Sequence, residues 1–523
     1  MSPPPKAIIL DLWDILLSRL SPTSARIPRG VLKDVFSSDI CYSYECGKLT
    51  DVEFCQQVAV RHSLDGADVV DILQQTRKIA IQDESLIQRL RTLKNQYGKD
   101  VHWYAMLNIA GPNYAVIRDA IAEWAIFDRV FTSSDIGMRK PDLCFYRHVL
   151  HELGQHPGYV VFVESDPDNV LSARSVGGRV VPYEDASGLA RSLHNLLGDT
   201  VKRGHEFLRA NAGRLDSITN TGVTIRDNFT QLLILEVTGD RDLIYLEEHP
   251  RTWNFFIGQS LLTTTAYPDD FDTTCAALTV LKPDRQTACS VLDELASHVN
   301  DDGIILTYFD RSRPRIDPVV CVNVLRAFYE HGRGHELQPS LHWVHEVLKT
   351  RAYVDGTRYY PTAEAFLYFV ARLLQCTQEA LLQREFSDLL RQRVKERIGK
   401  PGDALCLAMR LLACQYVGVP AADAERDVAS LRAMQDADGG WEPGCVYRYG
   451  KTDIRIGSRG LATALAVKAL SQAEDAGRAG RGGGEVNRES LTSLVGIPSG
   501  LKTLYWGLLG WVHSYPRWAK TSP

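Results

Sequence analysis

Tyr267-Pro-Asp-Asp-Phe-Asp-Thr-Thr-Cys275, followed at once by Ala-Ala-Leu-Thr-Val-Leu281, decides how the larger part of this chain is read. Three carboxylates in four positions run straight into an apolar segment of helical length. Around it, from Asn228 onward, no convincing strand alternation occurs. Apolar positions follow the helical period over Pro318 to His331, Pro361 to Cys376, Asp403 to Val417 and Ser458 to Ala473. The spacing predicts an all-helical unit over residues 228–523. Within it a loop carrying Asp-Gly and an aromatic recurs ahead of apolar helices: Asp302-Gly303 with Tyr308-Phe309, Asp355-Gly356 with Tyr359-Tyr360, and Asp438-Gly439-Gly440-Trp441. The spacing is irregular, so this is no fixed-period solenoid. It fits helical hairpins closing into a barrel with aromatics aimed inward, and it fits ordinary interhelical turns equally well. The low-complexity stretch Ala476 to Glu485 reads as a flexible surface loop.

The first 190 or so residues have a different texture. Lys6 to Leu10, Val101 to Met106 and Tyr159 to Val163 are continuous apolar runs ending at polar or turn residues, as buried parallel strands do. Helical stretches such as Ala115 to Trp124 and Cys144 to Leu153 lie between them. This alternation predicts a doubly wound α/β sheet whose chemistry sits beyond the carboxyl ends of its strands. A mainly helical segment, about 15–98, reads as a small cap, and 199–227 as a helical linker.

With 523 residues, 45% of them apolar and 24% charged, the chain is globular and multidomain. The 59 Lys and Arg against 64 Asp and Glu give a net charge of −5, which argues against a general nucleic-acid binder. Asp11 and Asp14 interrupt the N-terminal apolar run, so it is not a secretory signal. Thr503 to Pro516 is too short for a transmembrane segment, which needs ~20 residues. Eleven Cys without CxxC spacing read as reduced thiols in a cytoplasmic protein with no zinc site. Self-association is left open.

Asp269, Asp270 and Asp272 cannot all ionise cheaply if buried, because repulsion and desolvation hold a proton on at least one. A neutral carboxyl beside an apolar cavity can protonate a very weak base, with Thr273 and Thr274 placed to hydrogen-bond and orient it. Helix capping is the competing explanation of the same residues. The string Asp270-Phe271-Asp272-Thr273-Thr274 resembles the DxDTT form of the DxDD motif of class II terpene cyclases, and Gln435 to Trp441 resembles their QxxDGGW repeat. The resemblance implies an α/α barrel of the terpene cyclase β-domain type, with Asp272 as the general acid and Asp270, Thr273 and Thr274 flanking it. A carbocation needs π-faces. Trp253, Tyr267, Phe309 and Trp441 are candidates, in a set that includes Phe255, Phe256, Tyr308, Tyr359, Tyr360 and Tyr447. A prenyl diphosphate needs cations, for which Arg311, Arg313 and Arg315 in one loop and Arg448, Lys451, Arg455 and Arg459 in another are available. No DDxxD motif is apparent, so the diphosphate is expected to survive cyclisation.

Residues 1–198 resemble the haloacid dehalogenase superfamily, a Rossmannoid α/β fold with a helical cap. Asp11 matches its nucleophile, Met138-Arg-Lys140-Pro-Asp142 its lysine loop, and Val161-Phe-Val-Glu164-Ser165 its acidic metal-binding loop. The resemblance implies Mg²⁺ held by Asp11 and Glu164, with Lys140 assisting. The family's second acid is Trp13 here, the phosphoryl-binding Ser or Thr falls on Leu107, and Ser165 replaces one acid of the last loop. A degenerate phosphatase is expected. The fusion of both halves resembles cyclases of drimane sesquiterpene biosynthesis. It implies conversion of farnesyl diphosphate to a bicyclic drimane-type diphosphate, drimanyl or albicanyl, with separate downstream phosphatases. Two alternatives stand beside it: a bifunctional cyclase-phosphatase releasing an alcohol or monophosphate, and a non-catalytic scaffold.

Overall fold

A computed structural model describes residues 4–19, 22–81, 83–450 and 452–482. Residues up to Glu474 form one compact unit that includes both halves. In the first half a five-stranded parallel sheet runs in the order Arg129–Thr132, His102–Leu107, Ala7–Leu10, Val160–Glu164, Arg179–Pro182. The strand period sorts its side chains between two cores. Ile8 and Leu10 pack with Leu86, Leu90 and Leu193 on one face, while Ala7 and Ile9 pack with Phe145, Tyr146 and Val149 on the other. The cap is smaller than the sequence suggests. Four helices between Arg29 and Gln75 have their own core, but helix Glu84–Tyr97 packs its Leu86, Leu90 and Leu93 under the sheet and belongs to that layer.

The second half is a double ring of helices. Inner helices Asn228–Thr238, Phe271–Leu281, Pro318–Glu330, Ala363–Cys376 and Ala404–Tyr416 follow one another around the ring, and outer helices such as Arg285–Ala296 and Ala380–Lys395 alternate with them. Composition explains the layers. Every residue from Ala363 to Leu374 is buried, whereas Ala380–Lys395 buries a single stripe. Helix Arg459–Gly482 closes the ring: Gly460 lies against Ile234, and the Gln415 amide donates to the Ala469 carbonyl at 2.9 Å. That helix covers Ala476 to Gly482, which corrects the expected loop there. The Thr503 to Pro516 stretch lies outside the described residues. No helix among the described residues is long and apolar enough to cross a membrane.

The expected helical linker is also corrected. Helix Thr200–Ala210 is present, but Ser217–Thr219 and Thr224–Ile225 then form a hairpin that pairs with Arg455–Gly457 and, through it, Tyr447–Arg448. Strands of two or three residues are too short to leave an alternating pattern.

Candidate active site

Asp270 starts the central inner helix as its N-cap, its Oδ1 accepting the Thr273 N–H at 2.8 Å. Asp269 is turned away and accepts from the Thr252 hydroxyl at 2.6 Å and the Asn254 amide at 3.2 Å. Asp272, two residues in, points where the helices converge. The Asn323 amide donates to its Oδ1 at 2.8 Å and the Tyr360 hydroxyl to its Oδ2 at 2.6 Å. Both partners are neutral donors. Burial, opposed by those two hydrogen bonds, pushes the Asp272 pKa up to about 7. Burial also pushes Asp270 up to about 8, with the neighbouring Asp272 adding to the rise.

The two acids open onto a cavity of about 570 Å³. Its walls carry Phe255, Tyr267, Tyr308, Tyr359, Tyr360 and Tyr447 from the sequence set, together with Phe229 and Tyr449, which sequence reasoning missed. Arg313, Arg315, Arg358 and Arg448 also line it. Arg313 pairs with Asp310, whereas Arg315, Arg358 and Arg448 form no ion pair with a carboxylate among the described residues. Aromatic faces and unneutralised guanidiniums in one cavity suit an apolar chain carrying an anionic head.

Several expected site residues lie elsewhere. Thr274 bonds the backbone of Trp253, so Asn323 and Tyr360 orient Asp272 and the threonines do not. Trp253 clamps the motif through its backbone, its carbonyl accepting the Asp270 N–H at 3.2 Å, and its ring is core. Phe309 packs edge-to-face against Phe271, with centroids 4.6 Å apart, outside the cavity. Trp441 is fully buried; its indole donates to the Leu431 carbonyl at 2.7 Å and its ring meets Gly204, in helix Thr200–Ala210. Arg459 pairs with Asp436 and Asp438 at 3.0 and 2.8 Å. Gln435 to Trp441 is therefore a structural clasp. The Gln435 amide reaches the Thr200 carbonyl, Asn195 donates to the Gln435 carbonyl, and Arg203 to that of Asp436. Gly439, at φ +90°, sits where a Cβ would lie 2.5 Å from the Arg203 carbonyl oxygen. Arg311 bonds the Ser297 carbonyl at the surface, Arg455 belongs to an exposed strand end, and Lys451 lies outside the described residues.

In the first half, Lys140 Nζ lies between Asp11 Oδ2 at 2.7 Å and Glu164 Oε2 at 2.9 Å, all three buried. Asp11 Oδ1 accepts the Trp13 N–H and Glu164 Oε1 the Tyr146 hydroxyl. Burial, helped by Asp11 and opposed by Lys140, pushes Glu164 up to about 7. The Trp13 indole donates to the Asn108 carbonyl at 2.9 Å, and Leu107 is wholly buried.

Residues 201–331 match the family described as the sesquiterpene cyclase astC-like C-terminal domain. Over 466 residues, 89% of this chain and 88% of the relative, the sequence is 43% identical to drimenol cyclase drtB of Aspergillus calidoustus. The chain belongs to the drimenol cyclase family. As a member of it the protein is an enzyme, a sesquiterpene cyclase of the drimane group, joined to a haloacid dehalogenase-like half. That half is 30% identical over 193 residues to sesquiterpene phosphatase astK of Aspergillus oryzae, covering 37% of this chain and 97% of the phosphatase. Among solved structures, the type II terpene cyclase MstE of Scytonema is similar, with a TM-score of 0.40 and 14% identity over 53% of this chain and 98% of that one. For this drimane cyclase, the missed partner Asn323 had a visible signal: it interrupts the apolar run from Val319 to Leu325 on an inner helix. Arg358 had one too, standing immediately before Tyr359-Tyr360.

Proposed function

We propose that this cyclase converts farnesyl diphosphate to a bicyclic drimane-type diphosphate by protonating the terminal alkene, with Asp272 as the acid. The observation that carries this reading is a carboxyl on the cavity wall held by two neutral donors. Burial outweighs those two hydrogen bonds and raises the carboxyl to about 7, so a protonated fraction is present near neutrality. Asp270 is buried and spends one oxygen on the helix cap. Its role is to start the helix that sets Asp272 on the cavity wall. Arg315, Arg358 and Arg448 hold the diphosphate at their end of the cavity. The eight aromatic side chains shield the cation from water and offer it their faces.

The N-terminal half is degenerate in this reading. Trp13 offers no acidic proton, and Leu107 offers no hydrogen bond to a phosphoryl oxygen. A magnesium ion suits the oxygen donors of the remaining cluster, since Asp11 and Glu164 lie together at the carboxyl ends of two adjacent parallel strands. Asp11 and Glu164 would hold it, and it would offset the charge of an incoming phosphate. A second reading, with phosphate removal retained, is favoured by the intact Asp11–Lys140–Glu164 contact and by the name of the drimenol cyclase, an alcohol-forming relative. Incubating the purified full chain with farnesyl diphosphate, with and without added phosphatase, separates the two. Drimane alcohol that appears only after phosphatase treatment supports the first. Alcohol formed by the wild type and lost in Asp11→Asn establishes the second.

A further inference from the structure

A cyclisation begun by an acid ends when a proton leaves the last cation, so the cavity needs a proton acceptor on a wall other than that of Asp272. Asp227 supplies a carboxylate one hydroxyl behind such a wall. It is wholly buried, and its Oδ1 accepts the Thr230 N–H at 2.6 Å, capping helix Asn228–Thr238. Capping accounts for one oxygen only. The other, Oδ2, accepts the Ser217 hydroxyl at 2.7 Å. Ser217 Oγ lies 3.4 Å from the Tyr447 hydroxyl, and Thr230 Oγ1 lies 3.2 Å from it. Tyr447 lines the cavity, with Phe255 and Phe229 packed edge-on against it at centroid distances of 5.1 and 6.5 Å. No cation pairs with Asp227 among the described residues, so stability alone gives little reason to bury a carboxyl there.

We propose that Asp227, relayed by Ser217 and Tyr447, accepts the proton that terminates the cyclisation. The proposal rests on the protonation-initiated reading above. In the step, the C–H bond next to the cationic carbon breaks and its electron pair becomes the alkene. The proton adds to the Tyr447 oxygen as the Tyr447 hydroxyl proton passes to Ser217 Oγ. The Ser217 proton passes to Asp227 Oδ2. Asp227 ends as a carboxylic acid, and Tyr447 and Ser217 end unchanged. The proton gained balances the one Asp272 gave, and both are restored through water once product leaves. Both Asp227 oxygens accept hydrogen bonds, from Ser217 and from the Thr230 N–H, which places it at the accepting end of the relay, and burial pushes it up to about 6. Burial holds the Tyr447 phenol well above its usual range, so it acts as a relay and not as a phenolate.

The test compares full-length wild type with Asp227→Asn, Ser217→Ala and Tyr447→Phe on farnesyl diphosphate, reading products after phosphatase treatment. Asparagine caps a helix as well as aspartate, so the fold is retained in the first variant. Each variant should still form cyclised carbon skeletons, with turnover lowered about ten-fold or more. The alkene isomer ratio should shift, and alcohols from water capture of the cation should appear. An unchanged product ratio and turnover in both Asp227→Asn and Tyr447→Phe would overturn the proposal. Loss of activity with an unchanged product ratio would also overturn it, because a purely structural role slows without redirecting. A wild type that yields no cyclised product removes the underlying reading instead, and the variants are not needed to see it.

Discussion

The chain buries carboxyls in two ways. In the first half an ammonium sits between Asp11 and Glu164, tying the pair into an ionic cluster. In the second, Asp272 meets an amide and a phenol, and no salt bridge reaches it among the described residues. Desolvation acts on both sites and raises Glu164 and Asp272 alike to about 7. The difference lies in their surroundings: the Lys140 ammonium bridges two carboxyls, whereas Asp272 meets an amide and a phenol and faces an aromatic-lined cavity. One polypeptide therefore carries an ion-paired carboxyl cluster in its haloacid dehalogenase-like half and a carboxyl on the wall of an aromatic cavity in its cyclase half.

The sharpest way to break this comparison is to remove each carboxyl. Asp272→Asn keeps the shape but has no acidic proton, so cyclisation of farnesyl diphosphate should fall by ~10²–10⁴. Asp11→Asn should leave the cyclisation rate where it was. Equal losses in the two variants, followed by product formation over time, would erase the distinction. Arg358→Gln should come next, raising KM about ten-fold or more with a smaller change in kcat, since a charged hydrogen bond to the head group is lost. Tyr360→Phe removes one donor that favours the Asp272 carboxylate, so the alkaline limb of the kcat profile should move upward from about 7. A downward shift would show that Tyr360 does not act on the acid.

The smallest effect is on stability. The folded-state pKa of Asp272 is raised, so ionisation opposes folding once pH rises above the unfolded value, and the cost is complete above about 7. Asp272→Asn should therefore gain up to roughly 4 kcal/mol at alkaline pH and almost nothing in acid, readable as Tm against pH.

The parts legible in the sequence are those whose signal is local. The apolar runs that became Ala7–Leu10 and Val160–Glu164 needed no knowledge of their neighbours, and the inner helices announced themselves by apolar positions at the helical period. Glycine loops read as rim turns did place Tyr308, Tyr359 and Tyr360 on the cavity wall. What escaped depends on contacts between distant segments. Trp441 looked like a cavity aromatic, yet the small Gly204, more than two hundred positions earlier, draws its ring into the seam beside helix Thr200–Ala210. Arg459 looked like a phosphate ligand, yet Asp436 and Asp438 take up its charge. The orienting groups of Asp272 come from two other helical hairpins, so the motif alone could suggest only its own threonines.

Protonation by an enzyme carboxyl is the central claim, and cyclising farnesyl diphosphate in D₂O reads it directly. The account predicts that the bicyclic product carries one non-exchangeable deuterium on the ring carbon that began as the terminal alkene CH. It also predicts that wild-type product still bears its diphosphate. A bicyclic product with no solvent deuterium, or one formed with early loss of diphosphate, would contradict it.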